Sequence, residues 1–136
     1  MKTKIYPEIK IIILFISIFS TTFIKAQVYK QTLVGNTWRL TSLIINDEPF
    51  MEVPGTCVYT TEISFSDALY TLNRPCMGIT QKTFRIVNNL LILNNSDTLT
   101  ISRLNLTSFE TITNQKAVDD TGKVTTMNIT TTYEKK

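Results

Sequence analysis

Histidine is absent from this 136-residue chain, and tryptophan occurs only once. Because histidine is the usual general base near neutral pH and the commonest transition-metal ligand, its absence argues against an enzyme and against a transition-metal site. The acidic pair Asp119-Asp120 is followed by Thr121-Gly122, which favours a solvated turn over a calcium site. We expect no catalytic residues, no metal and no cofactor.

Apolar runs long enough to span a bilayer are also missing. The longest, residues 11–24, contains fourteen residues, whereas a transmembrane helix needs about 20. It follows three lysines and stops at Lys25, which is typical of a secretory signal peptide. The sequence predicts a signal peptide at residues 1–26, cleaved after Ala26, and a mature domain at residues 27–136. An uncleaved anchor is the alternative.

Positive and negative charges balance outside the predicted signal peptide. The whole chain has 14 basic and 11 acidic residues. Residues 1–26 contain four of the basic residues and one of the acidic ones, so the mature domain has ten of each and no net charge. A neutral domain gives no support to nucleic acid or an anionic membrane as a partner. We expect no nucleic-acid partner and no membrane anchor after cleavage, and the sequence identifies no protein partner.

Turn-forming residues divide the mature domain at short intervals, and no long segment shows helical spacing of apolar residues. The runs between the turns are rich in Thr, Ile, Val, Phe and Tyr, as strands are. These runs are 37–45, 58–65, 68–73, 81–87, 90–94, 98–104, 109–117 and 123–134. Eight sequential strands close most simply as an up-and-down barrel, because closure removes exposed edges. The predicted fold class is an all-β, eight-stranded antiparallel barrel.

The only two cysteines fall opposite each other in one predicted hairpin. A two-residue turn at 66–67 pairs Ile63 with Tyr70 and Cys57 with Cys76. Cross-strand Cα atoms lie about 4.5 to 5.5 Å apart, which is within the range that a disulfide requires. We predict a structural disulfide and therefore an exported protein, in the periplasm or outside the cell. A redox pair is less favoured, because the cysteines are far apart in sequence.

Two further turns set the predicted register of the second half. A turn at 88–89 pairs Ile86 with Leu91, and a turn at 119–122 pairs Ile112 with Ile129. The predicted barrel interior consists of large side chains: Trp38, Leu40, Ile63, Phe65, Tyr70, Leu72, Phe84, Ile86, Leu91, Leu93, Leu99, Ile101, Ile112, Met127 and Ile129.

Five segments resemble the small exported bacterial lipocalin-like (calycin) domains. Residues 33–40, Leu-Val-Gly-Asn-Thr-Trp-Arg-Leu, are similar to their opening strand. Residues 62–70 and 84–93 are similar to two of their hairpin units, and residues 101–105 and 132–136 to their sixth and last strands. The resemblance covers nearly the whole mature domain. It implies a protein that binds a small hydrophobic or amphipathic ligand inside the barrel.

A second resemblance, to META/HslJ-like envelope domains, rests on a similar strand pattern. It implies a barrel filled by its own side chains, acting through its surface as an envelope-stress or inhibitor/immunity-type interaction module. An eight-stranded barrel is only just wide enough to be filled or to hold one small molecule. Both functions therefore stay open at the level of sequence.

The candidate ligand contacts are Trp38, Tyr70, Phe84, Arg103, Glu110 and Met127. Trp38 is expected at the closed end of the barrel, where it serves equally well as a core residue. Arg103 and Glu110 become cross-strand neighbours if Leu104 pairs with Phe109. Facing inward, this ion pair would orient a polar ligand head, whereas a local bulge would turn both side chains outward.

Overall fold

The structure, a computed structural model, describes residues 24–136. Residues 1–23, which contain most of the predicted signal peptide, lie outside the described residues. Among residues 24–136, no helix is long and apolar enough to cross a membrane.

The described chain begins with a helical segment at residues 24–33 and continues as strands. The strands are β1 (Thr37–Ile45), β2 (Glu48–Pro49), β3 (Glu62–Phe65), β4 (Leu69–Arg74), β5 (Gly78–Val87), β6 (Leu90–Leu93), β7 (Asp97–Leu104), β8 (Ser108–Val118) and β9 (Val124–Lys135). The eight predicted runs correspond to β1 and to β3 through β9. Strand β2 is a two-residue addition that pairs with the end of β1.

Eight strands close into an antiparallel barrel, so the predicted fold class is confirmed. Each strand from β3 to β8 pairs with the next, and β1 pairs with both β3 and β9. Trp38 of β1 lies between Ile63 of β3 and Lys135 of β9 at this seam. Closure gives Trp38 and Arg39 of β1 paired strands on both sides.

The predicted register of the hairpin between β5 and β6 is confirmed. Ile86 pairs with Leu91, and the turn begins at Asn88, whose φ is 56°. Asparagine adopts this left-handed conformation more readily than most residues do. A short turn of suitable residues therefore fixed the register that the sequence indicated.

The predicted register of the hairpin between β3 and β4 is wrong by two residues. Ile63 pairs with Leu72, and Phe65, rather than Ile63, pairs with Tyr70. The chain turns later than predicted because the backbone N–H of Ser66 donates to the carbonyl of Leu69. A shift of two residues keeps every side chain on its predicted face.

The predicted pairing of Ile112 with Ile129 is wrong by one residue, since Ile129 pairs with Thr113. The connecting loop contains residues 119–123, one more than predicted, and the Asp119 carboxylate accepts backbone N–H bonds within it. A slip of one residue exchanges the two faces of a strand. Thr113 therefore points into the barrel, and Ile112 points outward.

One half of the barrel is filled by a packed core, and we refer to it as the closed half. The core residues are Leu33, Trp38, Ile63, Phe65, Tyr70, Phe84, Leu91, Leu93, Ile101 and Phe109. Leu33, at the end of the helical segment, has no exposed surface and covers the end of the barrel beside Trp38. The Trp38 ring meets the Phe109 ring edge-on at 5.0 Å. Burial of these side chains supplies the main stabilisation of the fold.

Candidate functional site

A cavity of about 630 Å³ occupies the other half of the barrel. The loop at residues 50–61 and the β4–β5 turn at residues 75–77 line its outer end, and we refer to this end as the mouth. Met77, in the turn, lines the cavity and is 76% exposed. Small-molecule sites usually occupy about 300 to 1,000 Å³. The barrel therefore has room for one small ligand above its packed core.

Apolar side chains from four strands line much of the cavity. They are Leu40 and Leu43 of β1, Leu72 of β4, Leu99 of β7 and Ile129 of β9. Leu40 and Leu43 both face the cavity despite their odd spacing, because the β1–β9 ladder is irregular between Leu40 and the next paired residue. The ladder leaves one extra residue in β1 at this bulge, so residues three positions apart on either side of it can face the same way.

The polar side chains of the lining lie together on β8 and β9, between β7 and β1, and we refer to them as the polar wall. Thr111, Thr113 and Gln115 of β8 line the cavity together with Thr131 and Tyr133 of β9. The Thr111 and Thr131 hydroxyl oxygens lie 2.6 Å apart and share a hydrogen bond. This wall exists because of the one-residue slip between β8 and β9, which turns Thr111 and Thr113 rather than Ile112 inward on β8.

Two tyrosines contribute phenol rings to the cavity. Tyr70 packs edge-on against Phe65 at 5.4 Å, and Tyr133 stacks on Phe109 at 4.7 Å. Burial raises the pKa of Tyr70, and the neighbouring Tyr133 raises it further. Burial also raises the pKa of Tyr133. Both phenols therefore stay protonated near neutral pH and present neutral O–H groups to the cavity.

The predicted disulfide is confirmed, and it lies at the mouth. Cys57 and Cys76 are bonded, with their Cα atoms 5.8 Å apart. The bond does not join paired strands as the sequence suggested, since Cys57 lies in the loop before β3 and Cys76 lies in the β4–β5 turn. Both cysteines line the cavity, so the bond holds the two sides of its mouth together. A stable disulfide indicates an oxidising, exported environment.

Hydrogen bonds within the loop at residues 50–61 shape the rest of the mouth. The Tyr59 hydroxyl donates to the Phe50 carbonyl at 2.7 Å, and the Val58 N–H donates to the Glu52 carboxylate at 2.7 Å. The loop is also held to β1, since the Phe50 N–H donates to the Leu43 carbonyl and the Leu40 N–H donates to the Thr61 carbonyl. It covers the cavity beside β1.

Arg74 is the charged residue that the sequence analysis missed. It ends β4 and lines the cavity at the mouth. Strand alternation contained the necessary signal, because the residues of β4 that point inward are Tyr70, Leu72 and then Arg74. The sequence interpretation ended that strand at residue 73 and treated Arg74 as part of a turn.

The predicted ligand contacts fall in several places. Tyr70 lines the cavity, whereas Trp38 and Phe84 belong to the core of the closed half. Met127 lies two residues before Ile129 on β9, where it pairs with Gln115, and it does not line the cavity.

Arg103 and Glu110 pair across β7 and β8, and Leu104 pairs with Phe109, as the sequence indicated. The ladder is irregular between Ile101 and Arg103. The bulge turns Arg103 and Glu110 away from the cavity, so neither lines it. Glu110 accepts a hydrogen bond of 2.6 Å from Ser102 and makes no ion pair within the described structure.

Within residues 24–136, no group of three or more histidine, cysteine, aspartate or glutamate side chains is arranged to hold a metal ion. Comparison of the chain with protein-family models and with curated proteins finds no match. The role of the cavity is therefore inferred from its lining residues.

Proposed function

We propose that this chain is an exported lipocalin-like protein that binds a small amphipathic ligand in its barrel. The cavity of about 630 Å³ is the observation that supports this function most directly. A barrel that acts only through its surface would gain stability from filling this space, because a cavity forfeits the contacts of the atoms around it. The closed half of the same barrel is filled in this way.

The mixed lining of the cavity favours an amphipathic ligand over a purely aliphatic one. Covering apolar side chains such as Leu72 and Leu99 would favour binding by about 25 cal/mol for each Å² of apolar surface that the ligand removes from water. The hydroxyl and amide groups of Thr113 and Gln115 on the polar wall would lose water contacts without replacement if an alkane covered them. A ligand with apolar surface and some hydrogen-bonding groups matches both the apolar side chains and the polar wall.

Binding, rather than catalysis, fits the chemistry of the chain. The sequence has no histidine, the two cysteines are joined, and burial keeps the cavity tyrosines protonated. The domain would act in the periplasm or outside the cell, after removal of the signal peptide at residues 1–26.

Native mass spectrometry of the protein purified from its own host tests this function. A bound small molecule should appear as a mass above that of the disulfide-bonded chain. The neutral dye N-phenyl-1-naphthylamine should also bind the folded protein in a one-to-one ratio.

Leu72→Trp supplies the matched variant, because it places a large ring in the cavity. Thr71→Trp, on the opposite face of the same strand, is the control. We expect Leu72→Trp to abolish dye binding and Thr71→Trp to retain it. A folded wild-type protein that carries no small molecule and binds no dye would contradict this function and favour a surface-acting barrel.

A further inference from the structure

Arg74 is, among the residues that the structure describes, the only charged side chain that lines the cavity. It follows Tyr70 and Leu72 on the inner face of β4 and pairs with Gly78 where the strand turns. Its side chain is half-buried at the mouth. A ligand in the cavity would therefore lie against this guanidinium.

The guanidinium has no carboxylate partner within the described chain. The ion pairs among the described residues use Arg39, Lys82 and Lys136 instead. Arg74 donates one hydrogen bond, from Nη1 to the sulfur of Met77 at 3.4 Å. Thioether sulfur is a weak acceptor, whereas a guanidinium has five N–H donors. Most of its hydrogen-bonding capacity is left for water or a ligand.

The positive charge of Arg74 also acts on the interior of the barrel. Burial raises the pKa values of Tyr70 and Tyr133, and the charge of Arg74 opposes this rise at both residues. Along β4, Tyr70 lies four residues from Arg74, which corresponds to about 13 Å of extended strand. A ligand held at Arg74 has this length of cavity below it for its apolar part.

We propose that Arg74 binds the oxyanion head group, a carboxylate or a phosphate, of an amphipathic ligand whose apolar part extends towards Tyr70. This inference rests on the proposed function. A planar guanidinium matches both oxyanions, because two of its N–H groups can donate to two oxygens at once. No acidic side chain lines the described cavity to compete with such a head group.

The test compares ligands that share one chain and differ in head group. Dodecanoate, dodecyl phosphate and dodecanol would each displace N-phenyl-1-naphthylamine from the wild type and from Arg74→Gln. We expect Arg74→Gln to lower the affinity for one or both anions by about 10- to 100-fold, because a charge-assisted hydrogen bond is lost. Dodecanol affinity should change less than about threefold. The anion that loses more identifies the preferred head group.

Arg103→Gln is the matched control, since Arg103 is exposed on the outer wall. It should leave all three affinities unchanged, and Arg74→Lys should restore part of the anion binding that Arg74→Gln loses. The inference would be overturned if both anions bound Arg74→Gln as tightly as the wild type, or if both Arg74 variants lost affinity equally for the anions and for dodecanol. In the first case dodecanol still binds, so the proposed function stands. A wild type that binds neither dodecanol nor the dye would instead overturn the proposed function.

Discussion

The indole N–H of Trp38 donates a hydrogen bond of 3.4 Å to the carbonyl oxygen of Leu33. This bond joins the first strand of the barrel to the helical segment that precedes it. Val34 then forms a bridge with Phe65, and the N–H of Gly35 donates to the Phe65 carbonyl at 2.9 Å. The end of the barrel is thus closed by chain that lies before the first strand.

Shortening the Leu33 side chain should destabilise the fold severely. Leu33→Ala removes a fully buried side chain, so we expect a loss of about 2 to 5 kcal/mol in the free energy of unfolding. Val28→Ala, in the same helical segment but 50% exposed, should change it by less than about 0.5 kcal/mol. Urea titration measures both. Equal midpoints for the two variants would show that the segment does not belong to the core.

Phe84 tests the packing of the closed half. Its ring meets Phe65 edge-on at 5.2 Å, and Phe84→Ala should cost about 3 to 5 kcal/mol. The adjacent Arg85 is exposed on the other face, so Arg85→Ala should stay within about 0.5 kcal/mol. Denaturant unfolding of the two variants compares the two faces of β5. A larger effect at Arg85 would reverse the assignment of faces.

The disulfide should stabilise the domain without determining its topology. The cysteines are separated by 19 positions, and a loop of this size is worth about 3 kcal/mol in the chain-entropy model. The double variant Cys57→Ser with Cys76→Ser should unfold at lower denaturant but keep its strand content by circular dichroism. Thiol labelling of the oxidised, denatured wild type should find no reactive cysteine. Two reactive thiols there would contradict the bond.

Glu62 should make stability depend on pH in the acid range. Hydrogen bonds from Lys136 and Arg39, at 2.8 and 3.0 Å, lower the pKa of Glu62 below its usual value of 4.5. A carboxylate with a lowered pKa in the folded state stabilises the fold above its unfolded pKa, and this contribution is lost as the pH falls through the folded value.

Wild type should therefore lose more stability than Glu62→Gln between pH 6 and pH 3, by roughly 0.2 to 1 kcal/mol for each exposed pair. Urea midpoints measured across this range report the difference. Glu134→Gln, at a carboxylate outside these ion pairs, should keep the wild-type profile. Parallel profiles for wild type and Glu62→Gln would exclude a role for the cluster.

The sequence predicted the fold well because strand composition and turn residues agree along the chain. Strand register was predicted correctly for the hairpin that pairs Ile86 with Leu91, where the strands are joined by a two-residue turn. It was not predictable at 119–123, where side-chain oxygens of Asp119 bond to the loop backbone and add one residue. That one residue determines whether Ile112 or Thr113 faces the cavity, so the sequence did not predict the polar wall.

The candidate site was harder to predict than the fold. Tyr70 was identified because it alternates with buried neighbours, and Arg74 would have followed from two further steps of the same alternation. The outward position of Arg103 depends on a bulge, and the sequence indicated the bulge only as an alternative. Whether the barrel is filled depends on side-chain volumes summed over many strands, and a pattern of apolar residues does not determine that sum.

The ladder between β1 and β3 is short, since it pairs only Thr37–Arg39 with Glu62–Ser64. Nearer the mouth, the loop at residues 50–61 takes the place of a strand beside β1, and much of its hydrogen bonding is internal. The Cys57–Cys76 bond tethers the loop at one point, so movement of the loop residues on either side of Cys57 would open the cavity sideways while the strand ladders and the core stay intact. The residence time of a ligand would then depend on local loop dynamics, and the lifetime of the folded protein on the ladders and the core. Substitutions in the loop could change one rate without changing the other.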